Sequence, residues 1–204
     1  MKLRLLGMDP SLRNWGLCSA VYDTASKVLL VNHVKTVCPA LSPNKQIRQN
    51  SLDLESAAQL SGEACQAAHE TDAVFVEVPV GSQSARAMAS YGICVGVLGA
   101  LRAGGTTFFE VNPTEVKMAS FGAKKATKQQ MIDWATAKHP EANWPTVKRN
   151  GKSAVSSAKA EHMADALATI YAGIASQPFQ QLLTFMSQQN NRSPYGHSIQ
   201  ATSN

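Results

Sequence analysis

Apolar positions at the start of the chain come in short runs rich in aliphatic and β-branched residues, over 3–8, 16–22 and 27–37, separated by the turn-forming stretches PSLRN and DTAS. Runs of this length between turn signals predict three strands of an antiparallel meander. From 46 to 68 the period changes, with Ile47, Leu52, Leu54, Ala57, Ala58, Leu60, Ala64 and Ala67 recurring at helical spacing among polar residues. That pattern predicts an amphipathic helix. AVFVEV, over 73–78, is continuously apolar except for Glu77, as in a central parallel strand buried on both faces.

Residues 84–103 predict a buried helix ending at Gly104-Gly105, and TTFFEV, over 106–111, predicts another strand. Asn112-Pro113 has the chemistry of a helix start, Asn as cap and Pro in the first turn. Residues 127–138 continue as helix, 139–153 (HPEANWPTVKRNGKS) have loop composition, and 154–175 predict the last long helix. The order βββαβαβα places the chain in the α/β class. One domain is expected over 1–187, and the polar stretch QQNNRSPYGHSIQATSN, over 188–204, is expected to be a disordered tail.

A chain of 204 residues with 44% hydrophobic content can bury one full core. No apolar run reaches the roughly 18 to 20 residues of a membrane span, and the N-terminus meets Asp9 and Pro10 too early for a signal peptide. A soluble, cytoplasmic protein is expected. Cys18, Cys38, Cys65 and Cys94 show no metal-site spacing, which predicts reduced, buried thiols. The net charge of +5 decides little, but Lys117, Lys124, Lys125, Lys128, Lys138, Lys148, Arg149, Lys152 and Lys159 share one stretch. Such a stretch suits a polyanion, and equally a solvated helix face.

Three acids stand where a solvated charge would not: Asp9 ending the first strand, Glu77 near the end of the fourth, and Asp165 inside EHMADALATIYAG. An isolated strand-end acid is commonly a turn cap, but acids on neighbouring strands can face one another. Carboxylates that close raise each other's pKa unless a cation keeps them ionised. His162 and Asp165, at i and i+3, share a helix face, as do Glu161 and Asp165 at i and i+4. Carboxylates with one imidazole suit Mg²⁺ or Mn²⁺ better than zinc, and two such ions about 4 Å apart serve phosphodiester hydrolysis.

These residues resemble the RuvC-type Holliday junction resolvases of the ribonuclease H-like superfamily. GMDPSLRNWG (7–16) resembles the family's first strand and turn, VFVEVPVGSQSARAMASYG (74–92) its second acidic strand and following helix, and HMADALA (162–168) its last helix. The resemblance implies a mixed five-stranded sheet, three antiparallel strands then two parallel, flanked by helices. It implies Asp9, Glu77, His162 and Asp165 as catalytic and metal-holding residues, with Asp9 bridging two Mg²⁺ or Mn²⁺ ions. EVNPTEVK and KKATKQQM resemble the DNA-contacting segment, with Lys117 and Lys128 at its basic positions; Lys124, Lys125, Arg86, Lys148 and Arg149 complete the expected DNA-binding set. The implied protein is a homodimer that nicks four-way junctions symmetrically, leaving 5′-phosphate ends.

Two departures stand out. The family often carries an aromatic residue shortly after the second acid, where this chain has Val80, and the 139–153 loop is longer than expected of a bacterial housekeeping member. A phage or divergent member fits both. A branched-DNA or flap nuclease and a non-catalytic DNA-structure binder are therefore kept as alternatives. Dimerisation would use the small-residue helix over 90–105, although Gly92, Gly96 and Gly99 would equally let that helix pack tightly on its own sheet.

Overall fold

In the computed structural model, which describes residues 1–149 and 152–192, β1 (Lys2–Asp9), β2 (Trp15–Asp23) and β3 (Val28–Val37) form the expected antiparallel meander. β1 and β2 pair with Gly7 opposite Cys18 and Asp9 opposite Gly16. A bulge interrupts β2 and β3, since Ser19 pairs with His33 and Ala20 with Val31, leaving Asn32 as the extra residue. Helix α1 (Gln49–His69) crosses to β4 (Ala73–Glu77), parallel to β1, and α2 (Ala85–Ala103) crosses to β5 (Phe108–Val111), parallel to β4. The five-stranded sheet, in the order β3-β2-β1-β4-β5, is the mixed sheet expected. There follow α3 (Pro113–Ser120), α4 (Lys128–Lys138), the hairpin β6 (Thr146–Arg149) and β7 (Lys152–Val155), α5 (Ser157–Ala175) and α6 (Gln177–Arg192).

Four sequence expectations need correcting. The 139–153 segment is not all loop, because it contains β6 and the start of β7. Ala154 and Val155 belong to β7, so the helix expected from 154 begins at Ser157. Helix α1 begins at Gln49 rather than at 46. Cys18 and Cys94 are buried, but Cys38 and Cys65 are exposed, Cys38 donating to Asn14 Oδ1 at 3.3 Å. The sequence reading has no element for helix α6. The tail expected to be disordered lies, from 193 on, outside the described residues.

Successive side chains of β1 point to opposite faces. Leu3 and Leu5 enter the core shared with α5 and α6, and Leu6 and Met8 the core beneath α1 and α2. Phe179 of α6 is fully buried against Phe75 and Phe109, with ring centres 4.9 and 5.4 Å away and rings near perpendicular. Helix α5 lies so near the sheet that a Cβ at Gly7 would overlap the carbonyl oxygen of Ala166, and one at Gly16 the carbonyl oxygen of His162. Gly173 in turn admits the Phe75 ring against the helix.

Polar contacts fix the rest of the frame. The buried Asp53 of α1 accepts both Nη groups of Arg86 of α2, at 2.6 and 2.7 Å, and the Gln49 amide at 2.9 Å. Along the outer edge of β3, Asn143 accepts from the Val34 N–H at 2.8 Å and donates to the Val34 carbonyl at 3.0 Å, as a paired strand residue would. Beneath it the buried His139 joins Glu141 and the Tyr171 hydroxyl, both at 2.7 Å. On the exposed face of α2, a Cβ at Gly92, Gly96 or Gly99 would meet nothing within 4 Å. Tight packing of these glycines on their own sheet is excluded. No helix among the described residues is long and apolar enough to cross a membrane.

Two stability predictions follow from these contacts. Gly16→Ala should cost about 1–3 kcal/mol by forcing α5 away from β2, whereas Gly62→Ala, at an open site in α1, should stabilise by up to about 1 kcal/mol; paired denaturant titrations test the opposite signs. Arg86→Ala should cost about 1–3 kcal/mol at neutral pH by stranding the Asp53 carboxylate, toward the lower end because the Arg86 side chain is 43% exposed. The hydrogen bonds from Arg86 hold Asp53 below the usual carboxylate range. Stabilisation from the pair is thus fully present above the unfolded value of about 3.9 and lost as pH falls through the lower folded value. The gap between wild type and Arg86→Ala should narrow in that acid window, and a gap independent of pH would contradict the pairing.

Candidate active site

The alternation that sends Leu5 and Gly7 toward α5 sends Asp9 the same way, at the last position of β1. On β4, Phe75 and Glu77 likewise share the α5 face, Phe75 packing at Gly173. The parallel register sets Gly7 beside Phe75 and Met8 beside Val76. The same offset carried one residue on brings Asp9 beside Glu77, so the two acids end adjacent strands on one face.

Helix α5 supplies the other side. With its backbone resting on Gly16, His162 Nδ1 lies 2.7 Å from Asp9 Oδ2. Asp165, one turn on, lies within electrostatic reach of Asp9 and of Glu77. Of the four residues expected from the sequence, Asp9 and His162 are in contact, and Glu77 and Asp165 feel the charge of Asp9.

Their titration reflects confinement. Burial, reinforced by the charges of Asp9 and Asp165, pushes Glu77 up to about 8, while Lys117 pulls it down. Burial and the charges of Asp9 and Glu161 push Asp165 up to about 7, against His162 and Lys117. The hydrogen bond to Asp9, and then its charge, raise His162 above the usual imidazole value, against the effect of burial.

This donor set suits a hard divalent cation: carboxylates and one imidazole, with two of the acids driven toward protonation by burial and by neighbouring carboxylates. The side chains do not, however, already form a coordination shell. Among the described residues no three His, Cys, Asp or Glu side chains are grouped so as to hold an ion together. One Asp9 oxygen is engaged by His162 instead. The chemistry of the residues fits a metal, and taking one up would require rearrangement of side chains.

The basic residues divide. Lys117, on α3, acts on Glu77 and Asp165. Its helix starts as expected, with Asn112 accepting from Thr114 and Glu115 at 3.0 Å and the Glu115 side chain accepting the Asn112 N–H at 2.8 Å. Lys128, in the first turn of α4, pairs with Glu161 at 2.5 Å and feels Asp165 and Asp9 beyond it. Lys124 and Lys125 are exposed in the turn between α3 and α4, and Lys148 is exposed on β6. Arg149 ends β6, with a side chain outside the described residues. Arg86 is taken up by Asp53.

Sequence reasoning missed two contributors. The Lys128 and Glu161 partnership joins different helices and has no local signature. Gly7 and Gly16, which admit α5, could have been noticed because each lies on or opposite the path to Asp9, but only the helix against them gives them meaning.

No family model matches the sequence, and no curated protein matches it. Solved structures do. Thermus thermophilus RuvC in complex with a Holliday junction substrate is 18% identical with a TM-score of 0.59, the match covering 89% of this chain and 96% of that one. A second Thermus thermophilus RuvC structure is 19% identical with a TM-score of 0.58, over 90% of this chain and 97% of that one. The yeast mitochondrial Holliday junction resolvase Ydc2 is 14% identical with a TM-score of 0.58, over 92% and 86%. At such identities the likeness is one of architecture, and it agrees with the strand order described above: this chain has a ribonuclease H-like fold.

Proposed function

We propose that the chain is a metal-dependent endonuclease that resolves four-way (Holliday) DNA junctions. The observation that carries this reading is the meeting of Asp9, Glu77, His162 and Asp165, from two adjacent strand ends and one helix, on a fold shared with junction resolvases. Asp9, Glu77, Asp165 and His162 would hold Mg²⁺ or Mn²⁺. Two such ions, when bound, polarise the phosphoryl group and ease deprotonation of the attacking water.

The chain's own residues do the remaining work. His162 holds Asp9 in one orientation through Nδ1. Lys117 and Lys128 put positive charge beside the acids, where a phosphate diester would otherwise be repelled. Lys124 and Lys125 extend that charge along the exposed turn. Water attack on phosphorus with the 3′-oxygen as leaving group, which takes up a proton, would leave 5′-phosphate and 3′-hydroxyl ends.

Symmetric nicking needs two such sites related by a two-fold axis. The exposed face of α2, with Met88, Gly92, Val95, Gly96 and Gly99 and no charged side chain between Arg86 and Arg102, suits contact with a second copy. A second reading, a branched-DNA or flap nuclease of looser selectivity, is favoured by Val80. Its side chain is apolar and 78% exposed close after Glu77, so it presents an aliphatic tip where an aromatic would stack on bases.

Cleavage of a labelled mobile four-way junction, compared with duplex and flap DNA in Mg²⁺ or Mn²⁺, tests the reading. Paired symmetric nicks on the junction are expected, and Asp9→Asn or Glu77→Gln should reduce them by about 100-fold or more, since even outer-shell metal partners are worth 10–100-fold. Binding should survive both substitutions. Preferential flap cutting would select the second reading, and binding without metal-dependent cutting would leave a DNA-structure binder. For the assembly, Gly96→Lys should shift the species seen by sedimentation from dimer to monomer while leaving the melting curve nearly unchanged. A monomeric wild type would remove α2 as an interface.

A further inference from the structure

Lys128 and Glu161 meet at 2.5 Å at the border of the acid cluster, one from α4 and the other from α5. Lys128 is the first residue of α4, directly after the Thr127 cap. A cation there stands against the helix dipole, whose N-terminal end favours an anion. Glu161 supplies that anion. It immediately precedes His162 and lies one turn before Asp165, so its carboxylate belongs to the face that carries the proposed active site.

Exposure sets this pair apart from the others near the site. The Lys128 side chain is 78% exposed and that of Glu161 only 22%, so solvent and solutes reach the ammonium from outside while the carboxylate sits behind it. Arg86 and Asp53, in contrast, form a two-pronged contact around a buried acid. A single-point lysine pair in solvent is weak, and a phosphate oxygen is as good a partner for the same ammonium.

We propose that Glu161 is an internal competitor for DNA phosphate at Lys128: in the free protein it holds the ammonium, and a backbone phosphate displaces it when DNA binds. Displacement leaves the carboxylate of Glu161 free on the acid-bearing face of α5. The proposal rests on the DNA-nuclease reading above and names how its site is guarded before DNA arrives.

The exchange has a signature in salt dependence. A lysine that newly contacts a duplex phosphate releases condensed counterions, adding about 0.9 to the magnitude of the slope of log affinity against log salt. In the wild type that release is offset, because Glu161 competes most strongly for the ammonium at low salt and is screened as salt rises. Replacing Glu161 by an uncharged amide removes the offset.

The test measures junction binding by the full-length chain in EDTA, which prevents cleavage, across about 50 to 200 mM salt. The proteins compared are wild type, Glu161→Gln, Lys128→Ala and the double variant. Glu161→Gln should steepen the slope by about 0.9 and tighten binding at the lowest salt by about two- to fivefold. Lys128→Ala should change the wild-type slope little, but in the Glu161→Gln background it should abolish the gain. Equal slopes for wild type and Glu161→Gln, with binding intact, would overturn the competition alone. A gain that persists without Lys128 would also overturn it, because it would reflect only the loss of a negative charge. Absence of salt-dependent junction binding by the wild type would overturn both the competition and the function on which it rests.

Discussion

The approach of α5 to the first two strands, allowed by hydrogen in place of a side chain at Gly7 and Gly16, is the constraint from which the site follows. With that gap closed, the His162 backbone lies on the start of β2 and its ring reaches Asp9. Ordinary side chains at these two glycines would push the helix outward, and the sheet and helix would then carry their acids on separate surfaces. Gly173 repeats the device farther along, where the Phe75 ring enters, so the helix is seated at both ends of its contact. Packing this close transmits small displacements, because neither backbone can yield without losing contacts elsewhere.

The same closeness accounts for the electrostatics. Burying Glu77 and Asp165 near Asp9 disfavours their charged forms, and Lys117 counters this for both acids and His162 for Asp165. A protein selected for stability alone would fill such positions with apolar side chains. A divalent cation is the species whose chemistry would suit three carboxylates held this close. The fold gives up local stability here and recovers it in the aromatic cluster of Phe75, Phe109 and Phe179 on the same side of the sheet.

What was legible in the sequence was what depends on short-range periodicity. The alternation in β1 and the continuous run in β4 located Asp9 and Glu77 at strand ends, and the helical spacing of His162 and Asp165 put them on one face. Contacts between distant segments were not legible. Arg86 finds its partner Asp53 on α1 and Lys128 its partner Glu161 on α5, and neither pairing has a signal in the residues around the base. The β6 and β7 hairpin carried a usable signal, because Asn150-Gly151 lies between its strands and is a strong hairpin dipeptide, but the surrounding polar residues had the composition of a loop. Helix α6 is rich in Gln, and the burial of Phe179 that anchors it exists only once the sheet is assembled.

Sealing of the β3 edge has a consequence for how copies of the chain can meet. An open edge strand invites continuation of the sheet into a neighbouring molecule. Here the Asn143 amide occupies both the donor and the acceptor of Val34 near the middle of that edge, with His139, Glu141 and Tyr171 fixed behind it. A neighbouring strand would have to displace a side chain that already satisfies the backbone, so growth by strand addition is blocked where it would begin. Continuation of the sheet into a neighbouring copy is therefore disfavoured along β3, the longest of its five strands.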